Sequence, residues 1–137
     1  MSLEDIKETF SLFADWEDKY RYIIELGKDL PDLSDKDKTD SNLIRGCQSQ
    51  VWLVCEISSE NHLQLQIDSD AHIVRGLIAI VLASLNNRAA SKILEFDVES
   101  LFEELELMEH LSPTRGNGLR SMVEKIKSVA EEAAILS

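Results

Sequence analysis

Few side chains in this chain carry covalent or metal chemistry. The 137 residues include two cysteines, Cys47 and Cys55, and three histidines, which are His62, His72 and His110. Cysteine thiolates act as nucleophiles and metal ligands, and neutral histidines act as bases or ligands. None of the five glycines falls in a phosphate-binding or dinucleotide-binding pattern. Thiol chemistry is therefore the first class of function to consider.

The two cysteines occupy different settings. Cys55 falls within residues 51–57, a run rich in β-branched residues that predicts a strand, where a free cysteine behaves as a small hydrophobic residue. Cys47 lies before that strand in a polar segment, beside Gly46, which allows a backbone bend. Arg45 favours the thiolate if its side chain turns toward the sulfur. Cys47 is therefore the candidate reactive thiol, with an inert loop thiol as the alternative.

Two other kinds of cysteine site are alternatives. Structural zinc normally shows close ligand pairs such as C-x-x-C, whereas seven residues separate Cys47 from Cys55. A cysteine hydrolase would pair Cys47 with His72 or His110, but no local protease signature surrounds the cysteine. We therefore expect no metal site, and the hydrolase stays an alternative function.

Composition limits the class of protein and its partners. Apolar residues make up 44%, which suffices for one hydrophobic core, and the net charge of −12 disfavours nucleic acid and anionic membranes as partners. Residues 1–5 lack a basic segment followed by an apolar stretch, and the apolar run 77–85 is shorter than the about 20 residues that span a bilayer. These features predict a single cytoplasmic domain over residues 1–137.

Hydrophobic periodicity predicts the elements that position Cys47. Residues 51–57 and 63–67 alternate as two strands of a hairpin, with Gln64 and Gln66 facing water, and residues 42–45 predict a third edge strand. Residues 71–85 are apolar on nearly every side and predict a central core helix. Helices are also predicted near residues 3–13, after an N-cap at Asp15, and at residues 91–94. Two more are predicted at residues 98–107, with Asp97 as N-cap, and from Ser112-Pro113 onward. Residues 29–42 predict a solvated loop. The fold class is α+β, with helices packed on one face of a small, about three-stranded, antiparallel sheet.

Several segments together resemble one protein family. Gly46-Cys47-Gln48-Ser49-Gln50-Val51-Trp52 resembles the signature of SufE, the sulfur-acceptor protein of bacterial iron–sulfur cluster assembly. Residues 68–77 resemble the start of the family's central helix, and residues 111–119 resemble its C-terminal motif. Residues 16–20 and 25–31 also fit, so the resemblance covers nearly the whole chain.

The resemblance implies a sulfur carrier and not an enzyme. In the family, a pyridoxal-phosphate cysteine desulfurase forms a persulfide, and the cysteine of the docked SufE protein attacks its terminal sulfur. By motif position that cysteine is Cys47. The resemblance thus implies that the chain stimulates a SufS-type desulfurase, passes sulfur to an iron–sulfur scaffold, and binds no pyridoxal phosphate itself. A CsdE-type partner of a CsdA-type desulfurase is the alternative within the family.

The resemblance also implies a set of supporting residues. Asp70 matches a family position that influences the interaction with the desulfurase, although its place before the central helix also predicts an N-cap. Arg115 matches a family arginine implicated in desulfurase contact, and an arginine fork suits such docking. The predicted partner-binding and supporting set is Arg45, Gly46, Gln48, Ser49, Asp70 and Arg115.

Three further expectations concern the site and its surroundings. An unprotected persulfide would be lost to water or stray thiols, so we predict that Cys47 rests in a sheltered pocket and swings out on docking. The family fold is similar to that of iron–sulfur scaffold proteins, but a cluster generally needs several thiolates and only Cys47 is placed to ligate. Gly116 and Gly118 predict close backbone packing near their turn, because glycine weakens a helix interior.

Two features lie outside the predicted chemistry. Glu106 stands where the family often has glycine, and we expect this departure to alter a helix end only. The closing helix is amphipathic, so a homodimer stays open beside ordinary core packing.

Overall fold

Helices and a small sheet alternate along the chain in the computed structural model, which describes residues 2–47 and 49–136. In these ranges the helices are α1 (Leu3–Leu12), α2 (Trp16–Lys28), α3 (His72–Leu85), α4 (Ala90–Glu95), α5 (Val98–Glu104), α6 (Leu107–His110) and α7 (Pro113–Leu136). The strands are β1 (Val51–Ile57), β2 (His62–Ser69) and β3 (Arg88–Ala89), and they form one antiparallel sheet in the order β1-β2-β3. The predicted α+β class is confirmed.

Side-chain caps start the helices where the sequence places them. The Asp15 carboxylate accepts a hydrogen bond from the Asp18 amide at 3.0 Å, and the Ser112 hydroxyl accepts one from the Arg115 amide at 3.2 Å. Each cap satisfies a backbone donor that has no partner inside its helix. The predicted caps of α2 and α7 are therefore confirmed, and α7 starts beside the Cys47 loop.

The predicted β1–β2 hairpin is confirmed. Val51 pairs with Ser69 at one end and Ile57 with Leu63 at the other. Asn61 takes a left-handed conformation in the turn, with φ of 63°, which asparagine tolerates better than most residues. Alternate residues of β2 are buried, and Gln64 and Gln66 are exposed, as predicted.

The third strand lies elsewhere than predicted. Residues 42–45 make only one bridge, between Leu43 and Trp52, because Gly46 then turns the chain away with φ of 91°. The third strand is β3, which pairs with β2 at its other edge after a reversal at Asn87. A two-residue strand has no alternation to read, so the sequence pattern does not reveal it.

The core lies between the helices and one face of the sheet. The predicted central helix α3 is buried along most of its length and contacts β2, α1 and α2. α2 and α3 approach closely at Gly76, where an added Cβ would overlap the Ile23 carbonyl oxygen. Helix α7 closes the structure against α4 and α6.

The segment between α2 and β1 is more ordered than a solvated loop. It contains two 3₁₀ turns, Asp35–Asp37 and Asp40–Asn42, and it buries Leu30 and Leu33. The Lys38 ammonium lies 3.6 Å from the Asp68 carboxylate and 5.4 Å from the centre of the Trp52 ring. The segment therefore covers part of the sheet face opposite the helices.

The helix predicted over residues 98–107 is interrupted. α5 ends at Glu104, and Glu106 takes a left-handed conformation with φ of 58° and ψ of 29° before α6 begins. A side chain with a Cβ pays a steric cost in this conformation, whereas glycine does not. The break explains why glycine suits this position, and it confirms that Glu106 affects a helix end.

Replacing Glu106 with glycine is expected to stabilise the protein by up to about 1 kcal/mol, because the strain at positive φ exceeds the added flexibility of the unfolded chain. Urea unfolding followed by circular dichroism measures the change. The matched control is Glu103→Gly within α5, which should destabilise by about 0.5–1 kcal/mol. Equal destabilisation by both variants would contradict a strained Glu106.

Candidate functional site

Cys47 lies where the loop before β1 packs against the first turns of α7. Its side chain is half-buried, and its Sγ donates a hydrogen bond to the Gly118 carbonyl oxygen at 3.4 Å. An added Cβ on Gly118 would lie 3.5 Å from that Sγ, so the two backbones approach closely here. The predicted close packing at Gly118 is confirmed.

A small cavity of about 30 Å³ adjoins the thiol. Its polar lining residues are Ser49, Thr114 and Arg115, and the rest of its lining is mostly apolar: Val51, Val74, Leu77, Gly118, Leu119 and Met122. A water molecule needs roughly 10–15 Å³ of such space, so the cavity suits about one small atom or molecule beside the sulfur. It is far too small for a metabolite, since ligand pockets are usually about 300–1,000 Å³.

The loop that carries Cys47 is fixed on both sides. Before the cysteine, Gly46 has φ of 91°, and a Cβ there would lie 2.6 Å from the Ser121 hydroxyl oxygen. After it, the Asp70 carboxylate accepts a hydrogen bond from the Gln50 amide at 3.1 Å, and the Asp70 amide donates to the Gln50 carbonyl at 3.4 Å. Helix α7 and the end of β2 thus hold the loop from opposite sides.

Burial raises the pKa of the Cys47 thiol above its ordinary value. Desolvation disfavours the thiolate, which is the nucleophilic form. The expected help from Arg45 does not occur, because Arg45 is exposed and does not line the cavity. The half-buried thiol beside a small cavity agrees with the resting state predicted for Cys47, and its burial disfavours the thiolate.

The alternatives based on histidine or metal gain no support from the described part of the chain. None of the three histidines lines the Cys47 cavity, and His110 stacks instead on Trp16 with ring centres 4.5 Å apart. The one group of possible metal ligands within residues 2–47 and 49–136 is Glu106, Glu109 and His110, all exposed. Neither cysteine belongs to it. Among the described residues that line the cavity, the Cys47 thiol therefore has no histidine beside it.

Comparison with known proteins identifies the family. The model of the SufE family, described as an Fe-S metabolism associated domain, matches residues 4–130. The chain belongs to the SufE family. It is 48% identical over 133 residues to an uncharacterized SufE-like protein of Rhizobium meliloti (strain 1021), covering 95% of each chain. A SufE-like protein of Rhizobium etli is also 48% identical, over 97% of this chain and 92% of that protein.

A solved structure supports the fold of this SufE family member. The solution structure of a hypothetical protein from Thermus thermophilus matches with a TM-score of 0.77, covering 98% of this chain and 99% of that one, at 16% identity. Family membership supports a sulfur-acceptor role in iron–sulfur metabolism and not that of a classical enzyme. Among the helices of the described residues, none combines the length and apolar character needed to cross a membrane.

Some of the residues that the resemblance to SufE singled out lie at the Cys47 cavity, and others do not. Arg115 and Ser49 line the Cys47 cavity, and Gly46 turns the chain into it. Asp70 is not the N-cap of α3, since that position is Ala71 and has no side-chain cap. Its carboxylate points instead to the Gln50 amide, as described above. The prediction for Gln48 lies outside the described residues.

Sequence reasoning predicted close packing at Gly118 without its partner Cys47, and it missed Ser121 altogether. The Gly118 carbonyl accepts from the thiol, and Ser121 lies against Gly46. The sequence does carry a signal for Gly118, because a glycine inside a helix often marks a place where another part of the backbone approaches closely. Ser121 gives no such signal, since serine is common on half-exposed helix faces.

Proposed function

We propose that this chain accepts sulfur on Cys47 as a persulfide from a cysteine desulfurase, stimulates that enzyme, and passes the sulfur on for iron–sulfur cluster assembly. The observation that carries the proposal is the half-buried Cys47 thiol beside a mostly apolar cavity of about 30 Å³. Such a cavity shelters one extra atom, and it lies next to the one thiol of the SufE motif. The whole chain acts as a single SufE-like domain and needs no cofactor of its own.

The proposed reaction is thiol exchange on sulfur. The Cys47 thiolate attacks the terminal sulfur of the desulfurase persulfide, and a new S–S bond forms as the enzyme's S–S bond breaks. The bonding electron pair leaves on the enzyme's cysteine thiolate, so no outside oxidant or reductant is needed. The rate depends on the thiolate fraction and on access to the sulfur.

The resting geometry requires a change before transfer. A half-buried thiol with a raised pKa is poorly placed to attack a sulfur that is held on another protein, so docking brings Cys47 outward and raises its thiolate fraction. Moving the sulfur into a more polar environment removes the desolvation that raises its pKa. Stimulation is therefore tied to docking, and the thiol of the free protein is less reactive than the docked one.

The charge of this chain indicates what kind of surface its desulfurase partner offers. The chain carries a net charge of −12, whereas Arg115 is the charged residue among those that line the Cys47 cavity. We infer that the desulfurase offers a carboxylate or a carbonyl to Arg115 within a basic or apolar surface. An iron–sulfur scaffold is the proposed downstream acceptor, and the reaction takes place in the cytoplasm.

Sulfide release by a SufS-type desulfurase, with and without this protein, tests the proposal. We expect turnover to rise in proportion to the added protein until the enzyme is saturated. A CsdA-type enzyme run in parallel distinguishes the alternative CsdE-type role, because the cognate desulfurase should respond at lower concentration. Failure to stimulate either enzyme would contradict the sulfur-acceptor proposal.

Arg115→Ala is expected to raise the concentration needed for half-maximal stimulation about tenfold with little change in the maximal rate. A charge-assisted hydrogen bond contributes about 1.5 kcal/mol, which corresponds to that factor. Titration of the variant against a fixed amount of desulfurase measures both values. Arg21→Ala, which removes an exposed arginine of α2, is the matched control and should behave as wild type. An unchanged half-maximal concentration would exclude Arg115 from docking.

A further inference from the structure

Strand β2 is only partly covered along the edge that faces away from β1. β3 pairs with His62 and Leu63 alone, at the start of β2. The Leu63 carbonyl accepts a hydrogen bond from the Asn87 amide, so the backbone groups of Leu63 point away from β1. Because these groups alternate in direction with a period of two, those of Leu65 and Ile67 point the same way.

Three of these edge groups have no hydrogen-bond partner within residues 2–47 and 49–136. They are the Leu65 carbonyl and both the amide and the carbonyl of Ile67. The Leu65 amide donates to the Asn86 side-chain oxygen at 2.7 Å, so a side chain stands where a neighbouring strand would place a carbonyl. Leu65 and Ile67 are only 3% and 2% exposed, and buried backbone groups are nearly always paired in native proteins. This stretch of β2 is therefore an edge suited to pairing with another strand.

The unpaired groups face an open cavity of about 490 Å³, which we call the β2 slot. Beside the β2 edge, it is lined by Leu30, Pro31, Asp32, Leu33 and Leu82. Its volume is within the range of about 300–1,000 Å³ that ligand pockets usually have. The β2 slot thus combines unused main-chain donors and acceptors with a mostly apolar wall.

The occupant that fits the β2 slot is an extended peptide in which apolar and basic residues alternate. Side chains of an added strand point alternately to the two faces of the sheet, so every second one meets the apolar wall. Asp32 is the charged residue among the described residues that line the slot, and its side chain is 83% exposed although it lies 3.1 Å from Arg75. With a net charge of −12 on the whole chain, a segment that carries Lys or Arg is attracted and an acidic segment is repelled.

We propose that the β2 slot binds a short extended segment of a partner protein, rich in Lys or Arg, by adding it to the sheet beside β2. One residue of the segment exchanges both backbone hydrogen bonds with Ile67, and a second residue donates to the Leu65 carbonyl. The Leu65 amide stays on Asn86, which ends the site on that side.

A partner held in the β2 slot leaves Cys47 uncovered. Leu43 and Ile44, which lead into the Cys47 loop, contact β1 at the opposite edge of the sheet. Among the described residues, none lines both the β2 slot and the Cys47 cavity. The partner in the slot is therefore a different molecule from the one that exchanges sulfur with Cys47, and the inference goes beyond the proposed function.

Titration with synthetic peptides, followed by NMR of the isotope-labelled protein, tests the assignment. The probe is acetyl-Lys-Val-Lys-Val-Lys-amide, and the Ile67 amide reports the new hydrogen bond. We expect saturable binding that slows exchange of the Ile67 amide with solvent about tenfold or more, while α7 amides stay unchanged. The same peptide with both valine amides methylated lacks two donors and should bind about tenfold more weakly or worse. No effect at Ile67, or equal binding of the methylated peptide, would overturn the proposal.

The charge preference is tested with one substitution and its matched control. Asp32→Asn should weaken binding of the basic peptide about threefold, whereas Glu131→Gln makes the same charge change at an exposed position of α7 and should bind like wild type. Equal affinities of these two variants would refute the role of Asp32. A shift of the Ile67 amide that depends on protein concentration without peptide would assign the slot to a second copy of this chain and contradict the partner segment. None of these measurements uses a desulfurase, so their failure is distinguishable from a failure of sulfur acceptance.

Discussion

Replacement of Cys47 by serine is expected to reduce desulfurase stimulation to the level of the enzyme alone. The hydroxyl of serine keeps the size and hydrogen-bonding of the side chain but forms no persulfide, so no sulfur leaves the desulfurase by this route. Sulfide release in the presence of the variant measures the loss. Circular dichroism and urea unfolding should match wild type, because Cys47 is only half-buried.

Cys55→Ser is the matched control for that experiment. Cys55 is also half-buried and also has a pKa raised by burial, with the neighbouring Glu56 carboxylate adding to the increase. It lies mid-strand in β1 and does not line the Cys47 cavity. We therefore expect most of the stimulation to survive. Loss of stimulation in the Cys55 variant alone would show that Cys55, and not Cys47, carries the chemistry.

The second prediction with a large expected effect is a loss of stability, and it concerns a buried ion pair that fixes the segment between α2 and β1. Asp68 at the end of β2 is 1% exposed, and its carboxylate accepts hydrogen bonds from Arg75 of α3 and from the Leu33 amide, the latter at 2.9 Å. The Arg75 guanidinium also donates to the Leu30 carbonyl at 2.6 Å and to the Gly27 carbonyl at 3.3 Å. One arginine thus joins α3, β2 and the end of α2.

Arg75→Met is expected to destabilise the protein by about 3–5 kcal/mol, because it leaves a buried carboxylate short of its partner and removes donors from two carbonyl groups. Lys38 lies 3.6 Å from the same carboxylate and replaces only part of the lost charge. Urea unfolding gives the free energy of unfolding. Arg75→Lys should recover a minority of the loss, since an ammonium lacks the planar fork that serves three acceptors.

An exposed ion pair supplies the comparison. Arg21 lies 3.8 Å from Asp18, and its side chain is 75% exposed, so Arg21→Met should change stability by less than about 1 kcal/mol. A cost for Arg75→Met as small as that of Arg21→Met would show that the buried pair contributes little. The Cys47 loop should be disturbed in Arg75→Met only indirectly, because Asp70 and not Asp68 holds Gln50.

Local patterns in the sequence predict most of the helices and the hairpin. The stripe Ile6 and Phe10, the cap at Asp15 and the alternation of Leu63, Leu65 and Ile67 depend on neighbours in sequence, and the structure confirms each. The helix predicted over residues 98–107 is broken locally at Glu106, whereas the other two incorrect predictions concern elements that depend on distant contacts. β3 forms because the chain returns beside β2, and the 29–42 segment is ordered by Asp68 and Trp52, which lie far along the chain.

The candidate site likewise has features that local sequence predicts and features that depend on distant contacts. Cys47 is identifiable from its residue type and from the resemblance to SufE, and Gly118 from its place inside a helix. The direction of a side chain is not readable from sequence, so the thiolate support expected from Arg45 and the N-cap expected at Asp70 were wrong. Arg45 is exposed, and Asp70 reaches the loop instead of capping α3. The contact between Gly46 and Ser121 joins residues far apart in the chain, and no local pattern encodes it.

The acceptor role of Cys47 is tested most directly by the intact mass of the protein after incubation with a SufS-type desulfurase and cysteine, followed by peptide mapping without reductant. We predict a mass gain of one sulfur atom located on Cys47, lost on addition of a reducing thiol and absent in Cys47→Ser. A protein that gains no sulfur from either a SufS-type or a CsdA-type enzyme, or gains it only on Cys55, would contradict the account.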